Sequence, residues 1–136
     1  MPIGTGTITL LEVMAEIGGL GTSSSLGLCI GAAILKDYHP TYFQSPATSL
    51  LEFRGYDKAR TVYAESLGYS ASSSAAACSA GTATYYTIGS ATWTSAIGIF
   101  TTSAGTTYAA SGYYEQGNNW RYWDASIGSF TSAGVC

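Results

Sequence analysis

The sequence predicts an α+β chain: a short helical region over residues 1–65, a small-residue linker over 66–77 and a small antiparallel β module over 78–136. Three observations predict it. Helix-capping signals recur in the first part. Runs rich in Thr, Tyr, Trp and Ile, broken by Gly and Ser, fill the last part. Charge is divided the same way: beyond residue 65 only Glu115, Arg121 and Asp124 are charged.

The helical elements come first. Thr9-Leu-Leu-Glu12 has the form of a capping box, in which the Thr hydroxyl accepts the third helical N–H and the Glu reaches back to the cap amide. Leu10, Val13, Met14 and Ile17 then share one face, while Glu12 and Glu16 lie on another as capping and solvated carboxylates. Gly18-Gly19 offers a left-handed stop. The hydroxyl residues at 22–25 can cap a second, apolar helix running through Ile34. Ser49-Leu-Leu-Glu52 repeats the capping box, with Gly55 as its stop. Such short helices must draw their stability from packing. Between them, HPTYFQSP (residues 39–46) reads as a loop whose Tyr42 and Phe43 plug a core or dock onto a partner. His39, the one histidine, is expected with its ring in water or on Tyr38.

The serine- and alanine-rich stretch 66–77 is low in complexity and reads as a linker or a tightly packed stalk. Strands are expected at 84–88, 97–102, 106–110, 112–115 and 120–123. The clearest hairpin is GYYEQGNNWRYWD, turning at Gln116-Gly117-Asn118-Asn119. Period-two alternation puts Trp120 and Tyr122 on one face of its second strand, and Arg121 and Trp123 on the other. Both faces therefore carry aromatic rings, so one must be covered or left open for binding.

Composition removes several function classes. Ser, Thr, Ala and Gly supply 71 of 136 residues, and Leu, Ile, Val and Phe only 25. So few bulky aliphatics would suggest disorder in a highly charged chain, but the net charge is only −3 and 18 residues are aromatic, which argues for a folded, strand-rich structure. Five basic residues, none before Lys36, leave no footprint for nucleic acid. The longest apolar run, 26–35, is too short for the ~18–20 residues a membrane span needs, and no secretory signal is expected at the N-terminus. No nucleophile elbow, phosphate loop or zinc-protease motif occurs. No catalytic residue, cofactor or metal site is expected. Glu115 and Asp124 flank one hairpin but read as solvated turn carboxylates rather than a catalytic pair.

Cys78 opens the β module and Cys136 closes it. A disulfide between them would staple its two ends, at about 2–4 kcal/mol; the alternative is free or buried thiols. Cys29, in the apolar run, reads as a buried small hydrophobe. A surface so poor in charge favours association, and repetition around an axis, as a trimer for instance, would cover it. Trp93, Tyr113, Tyr114, Trp120, Tyr122 and Trp123 are the candidate binding residues. Their rings can stack on sugars, with Asn118, Asn119, Glu115 and Asp124 reaching hydroxyls, or they can fill a thin core or an interface between copies.

Two stretches carry a family resemblance. ITLLEVMAEIGG, SSSLGL and SPATSLLEFRGYDK together resemble a module of tail and fibre proteins of tailed bacteriophages: a helix ending in Gly-Gly, a short Ser-led helix and a closing Ser-x-x-x-Phe/Tyr-Gly-type segment. The middle helix is more apolar than that pattern, and HPTYFQSP is an insertion in it. The opening Cys78, GTTYAASGYYEQGNNWRYWD and the closing Gly-Val-Cys136 resemble a β module of fibre and surface proteins of Bacteroidota and their phages. The resemblance implies a virion structural protein: a tail-fibre, tail-tip or capsid-decorating subunit, assembled in the host cytoplasm and extracellular after lysis. Residues 1–65 would attach to other virion proteins. The β module would project, make contact with further copies and take part in host attachment, for instance on a surface glycan. A carbohydrate-binding module, within a fibre or alone, and a bacterial surface-filament subunit are the alternatives. Neither nucleic acid nor membrane insertion is implied.

Overall fold

The computed structural model describes residues 2–18, 25–43 and 49–136. Among the described residues the chain forms an α+β fold of three short helices and a six-stranded antiparallel sheet, divided into two compact units, Met1–Arg60 and Thr61–Cys136.

In the first unit, α1 (Leu10–Ile17) starts at the Thr9–Glu12 capping box: the Thr9 N–H donates to Glu12 Oε2 at 2.6 Å, and the Glu12 N–H to Thr9 Oγ1 at 3.3 Å. Gly18 ends it with φ +71°, a backbone state that costs a glycine little. Val13 and Ile17 are buried as the periodicity requires. Glu16 is not the solvated carboxylate expected. It is buried and accepts the Lys58 N–H at 2.9 Å, which supplies the partner a buried carboxylate needs.

The second helix, α2 (Leu26–Ala32), is capped by Ser25, whose Oγ accepts the Leu28 N–H at 3.4 Å. Gly19 and the other cap candidates at 22–24 lie outside the described residues. The helix stops before Ile34, because the Ile34 N–H donates instead to the Tyr56 hydroxyl at 3.2 Å. The Ser49–Glu52 box is present, but it caps a 3-10 turn, Leu50–Phe53, and its Glu52 is buried. Residues 44–48 of the HPTYFQSP loop are outside the described residues; Phe43 is buried, stacked on Tyr38 at 4.3 Å between ring centres. Tyr38, Phe43, Phe53 and Tyr56 form one aromatic nucleus. His39 packs on Tyr42, not Tyr38, and its Nδ1 accepts the Thr41 N–H.

The second unit is the sheet, in the order β3-β2-β1-β4-β5-β6. The strands are β1 (Val62–Ser70), β2 (Thr82–Ile88), β3 (Gly98–Phe100), β4 (Gly112–Gln116), β5 (Asn119–Asp124) and β6 (Ser129–Val135). The unit therefore begins after Arg60, not at 78, and 66–77 is no linker. It holds the second half of β1, a central strand, and most of α3 (Ser74–Ser79). Its small residues serve close packing. A Cβ at Gly68 would lie 2.6 Å from the Ala77 carbonyl oxygen, so only glycine lets α3 lie this near the strand.

The Gln116–Asn119 hairpin turns through Gly117 (φ +60°) and Asn118 (φ +66°). Two consecutive positive φ values define the type I′ turn that matches strand twist, and Gly and Asn are the residues that tolerate them. The expected strand at 106–110 is only a single bridge, Phe100 to Tyr108. Tyr108 and Ala109 are drawn inward to pack against the core of this unit. Residues 97–102 shorten to three in β3. Two strands, β1 and β6, were hidden from the sequence because serine, glycine and alanine interrupt them.

Candidate functional site

The β4–β5 hairpin sorts the six candidate aromatics by face. Across each antiparallel pair, opposed residues point the same way. Tyr114 lies opposite Arg121 and Tyr69, and Trp123 opposite Gly112 and Phe130. This face is the core. Leu67, Trp93, Ala96, Ile99, Ala109, Tyr114 and Trp123 are buried together there. Every polar handle on these rings is engaged: Trp93 Nε1 donates to the Asn119 carbonyl at 3.0 Å, Trp123 Nε1 to that of Ala109 at 3.0 Å, and the Tyr114 hydroxyl to that of Ala110 at 2.8 Å. Burial raises the Tyr114 hydroxyl well above its ordinary range, with Tyr85 and Tyr69 adding to the effect. Trp93, Tyr114 and Trp123 are thus structural, and unavailable as ligand contacts. A ring that fills a core cannot also present its face to a partner.

Arg121, the one cation of this unit, ties the 3-10 turn Trp93–Ser95 and its cap Ala96 to the sheet. Sequence reasoning gave it no role. Its Nη1 donates to the carbonyls of Ala96 (2.6 Å) and Trp93 (3.0 Å), and its guanidinium lies 3.8 Å from the Phe130 ring centre. A lone Arg between two tryptophans in a strand is the signal that marks it.

The opposite face carries the other three candidates. Tyr113 stands across from Tyr122, with ring centres 4.9 Å apart, and diagonally from Trp120 at 5.6 Å. All three rings are half-buried. The Trp120 ring lies over Gly134 of β6, where a Cβ would come within 2.6 Å of it. Strand pairing and this glycine fix the three rings as one strip. Glu115 shares their face, but its Oε1 is taken by the Asn118 N–H at 2.7 Å. Asp124 caps its own turn through Ser126, whose O–H and N–H hold its carboxyl below the usual range. The strip is therefore three aromatic rings flanked by carboxylates that already serve the local turns.

The structure pairs Cys78 with Cys136, Cα atoms 6.0 Å apart, which fastens α3 to the end of β6. Cys29 is buried and free.

A second half-open group escaped the sequence analysis. On the core side of the sheet, Gln116 Nε2 donates to Glu65 Oε2 at 2.8 Å beside Tyr85 and Tyr69. Its residues are far apart in sequence, so no local motif announces it. In the first unit a cleft of about 220 Å³ is lined by residues 2–4, Glu12, Ala15 and Glu16; both carboxylates already serve the fold. Among the described residues no group of three or more His, Cys, Asp and Glu is placed to hold a metal ion, and no helix is long and apolar enough to cross a membrane. Comparison with family models, with curated proteins and with solved structures finds no match to this chain.

Proposed function

We propose that this chain is a structural subunit of a phage virion, in a fibre, at a tail tip or on the capsid, and that its β module engages a host surface or another virion protein through the Tyr113–Trp120–Tyr122 strip. The observation that carries this reading is that strip: three rings left half-open on strands already fixed by hairpin, sheet and disulfide. Rigid aromatics on a sheet give large contact area at little entropic cost. The first unit supports attachment by residues 1–65. Leu11, Leu28 and Leu51 are 73%, 56% and 55% exposed, one each on α1, α2 and the 3-10 turn. The resemblance to phage fibre modules supplies the setting.

The same strip favours one second reading, a carbohydrate-binding module, since flat rings stack on sugar faces. Two measurements test these readings. Purified particles should contain the chain, by mass spectrometry and by antibody labelling; its presence in the lysate but not in particles would remove the virion reading. Trp120→Ala should lower adsorption to host cells about tenfold or more, the scale of an interface hot spot. Unchanged adsorption with a blank glycan array would remove the strip's role.

A further inference from the structure

The two edges of the sheet are treated differently by their own chain. At one edge, β3 is three residues long and fully buried. Its outer side is closed by the returning segment: the Ala109 N–H donates to the Ile99 carbonyl at 3.0 Å, and the Thr101 N–H to that of Thr107 at 3.2 Å. At the other edge, β6 pairs with β5 alone among the described residues. It is seven residues long. Thr131, Ser132 and Ala133 are exposed in succession, and Val135 is 74% exposed. No residue from 125 to 136 is charged or a proline. An open edge presents unpaired N–H and C=O groups to any passing strand, and proteins ordinarily guard it with lysines, prolines, bulges or short length. Here the guard is one register shift, opposite Tyr122/Trp123, which leaves the stretch from Ser132 onward regular. The strand's far end is held by the Cys136 N–H on the Asn118 carbonyl and by the disulfide.

We propose that the outer edge of β6 pairs antiparallel with β6 of a second copy of this chain, joining two sheets into one. This deepens the virion reading and rests on it. The edge carries no charge to select a different partner, so main-chain hydrogen bonds supply the affinity. Pairing about a two-fold near Ala133 sets Ser132 against Gly134 of the second copy and brings no like charges together. An isologous contact of this kind closes at two copies. It also has a geometric product. Both aromatic strips fall on the same face, on strands three intervals apart, roughly 14 Å at ~4.8 Å per interval. The dimer is thus a bivalent aromatic platform.

The test is sedimentation velocity of the full chain across a concentration series. The mass should rise from one chain to two. S132E and S132K should each stay single while the tryptophan emission spectrum is unchanged, because the two 132 side chains are diagonal neighbours across the edge, within reach of each other, and like charges there repel. An equimolar mixture of the two variants should recover the dimer, because the diagonal then joins opposite charges. Hydrogen exchange gives an independent reading: amides of 131–135 should gain protection as concentration rises. A natural chain that stays single throughout, or S132E and S132K chains that dimerise as well as it does, would overturn the proposal. A single chain that is still found in purified particles removes the edge pairing and leaves the virion reading standing.

Discussion

Met1–Arg60 contains nine of the thirteen charged side chains and buries three of them, Glu16, Asp37 and Glu52. Thr61–Cys136 contains four and packs one, Arg121, against its core. In the first unit ionic groups tie short elements together. Lys58 Nζ donates to the Ile17 carbonyl at 2.6 Å and Arg60 Nη2 to that of Gly55 at 2.8 Å. Asp37 is bound by Lys36 and by the Tyr56 hydroxyl; burial pushes its carboxyl up, with Lys36 pulling the other way. In the second unit a sheet satisfies the backbone, aromatic rings fill the core and a disulfide closes the ends. The lesson is that a chain poor in aliphatics can complete a small core by two routes. Helical pieces too short to be stable alone need polar staples between them. A sheet needs few, since its ladders already pair the strands.

The sharpest way to break that contrast is to empty the second core. Trp123→Ala should cost about 3–5 kcal/mol, the range for deleting a buried tryptophan. All three tryptophans lie in Thr61–Cys136, so denaturant unfolding followed by tryptophan emission reads this unit. A loss under 1 kcal/mol would mean the core is not where the stability resides. Next is the clasp. Cys78→Ser should lower the same transition by about 2–4 kcal/mol, and a reducing agent should match it in the natural chain. Smaller again, Gly68→Ala should cost about 1–3 kcal/mol, because its methyl group forces α3 away from β1.

Alkaline pH probes the buried tyrosines. Burial lifts the Tyr108 hydroxyl to about 12, and lifts Tyr114 as well, against about 10 in an unfolded chain. The folded state therefore keeps protons that the unfolded state releases. Stability is intact below pH ~10 and falls as pH climbs towards 12. Ultraviolet difference absorbance should show Tyr108 and Tyr114 ionising only together with loss of the native tryptophan spectrum. A single titration of all tyrosines near pH 10, with that spectrum unchanged, would contradict it. The smallest effect belongs to the first unit: Thr9→Ala should remove about 1 kcal/mol of local stability at α1. Hydrogen exchange should loosen at Leu10–Ile17 while the tryptophan-detected transition stays in place.

Legibility followed the range of the interactions. Both capping boxes, the Gly18 stop, the Gln116–Asn119 turn and the alternation along Asn119–Asp124 were readable, because each is settled within a few residues. Of the six candidate binding residues, the alternation separated Trp120 and Tyr122 from Trp123, but it did not say which face would be covered. The strand Val62–Ser70 was unreadable for a related reason. Its Ser and Gly residues look like linker until α3 lies against Gly68.

Local chemistry thus determined where helices start, where the hairpin turns and which side chains travel together on a strand, since caps, turns and pleat are short-range geometry. Tertiary structure alone decided that Glu16 is buried on Lys58, that Arg121 clamps the carbonyls of Trp93 and Ala96, and that Tyr113, Trp120 and Tyr122 remain on the open side. Burial is a property of what arrives from elsewhere in the chain, and no window of neighbouring residues contains it.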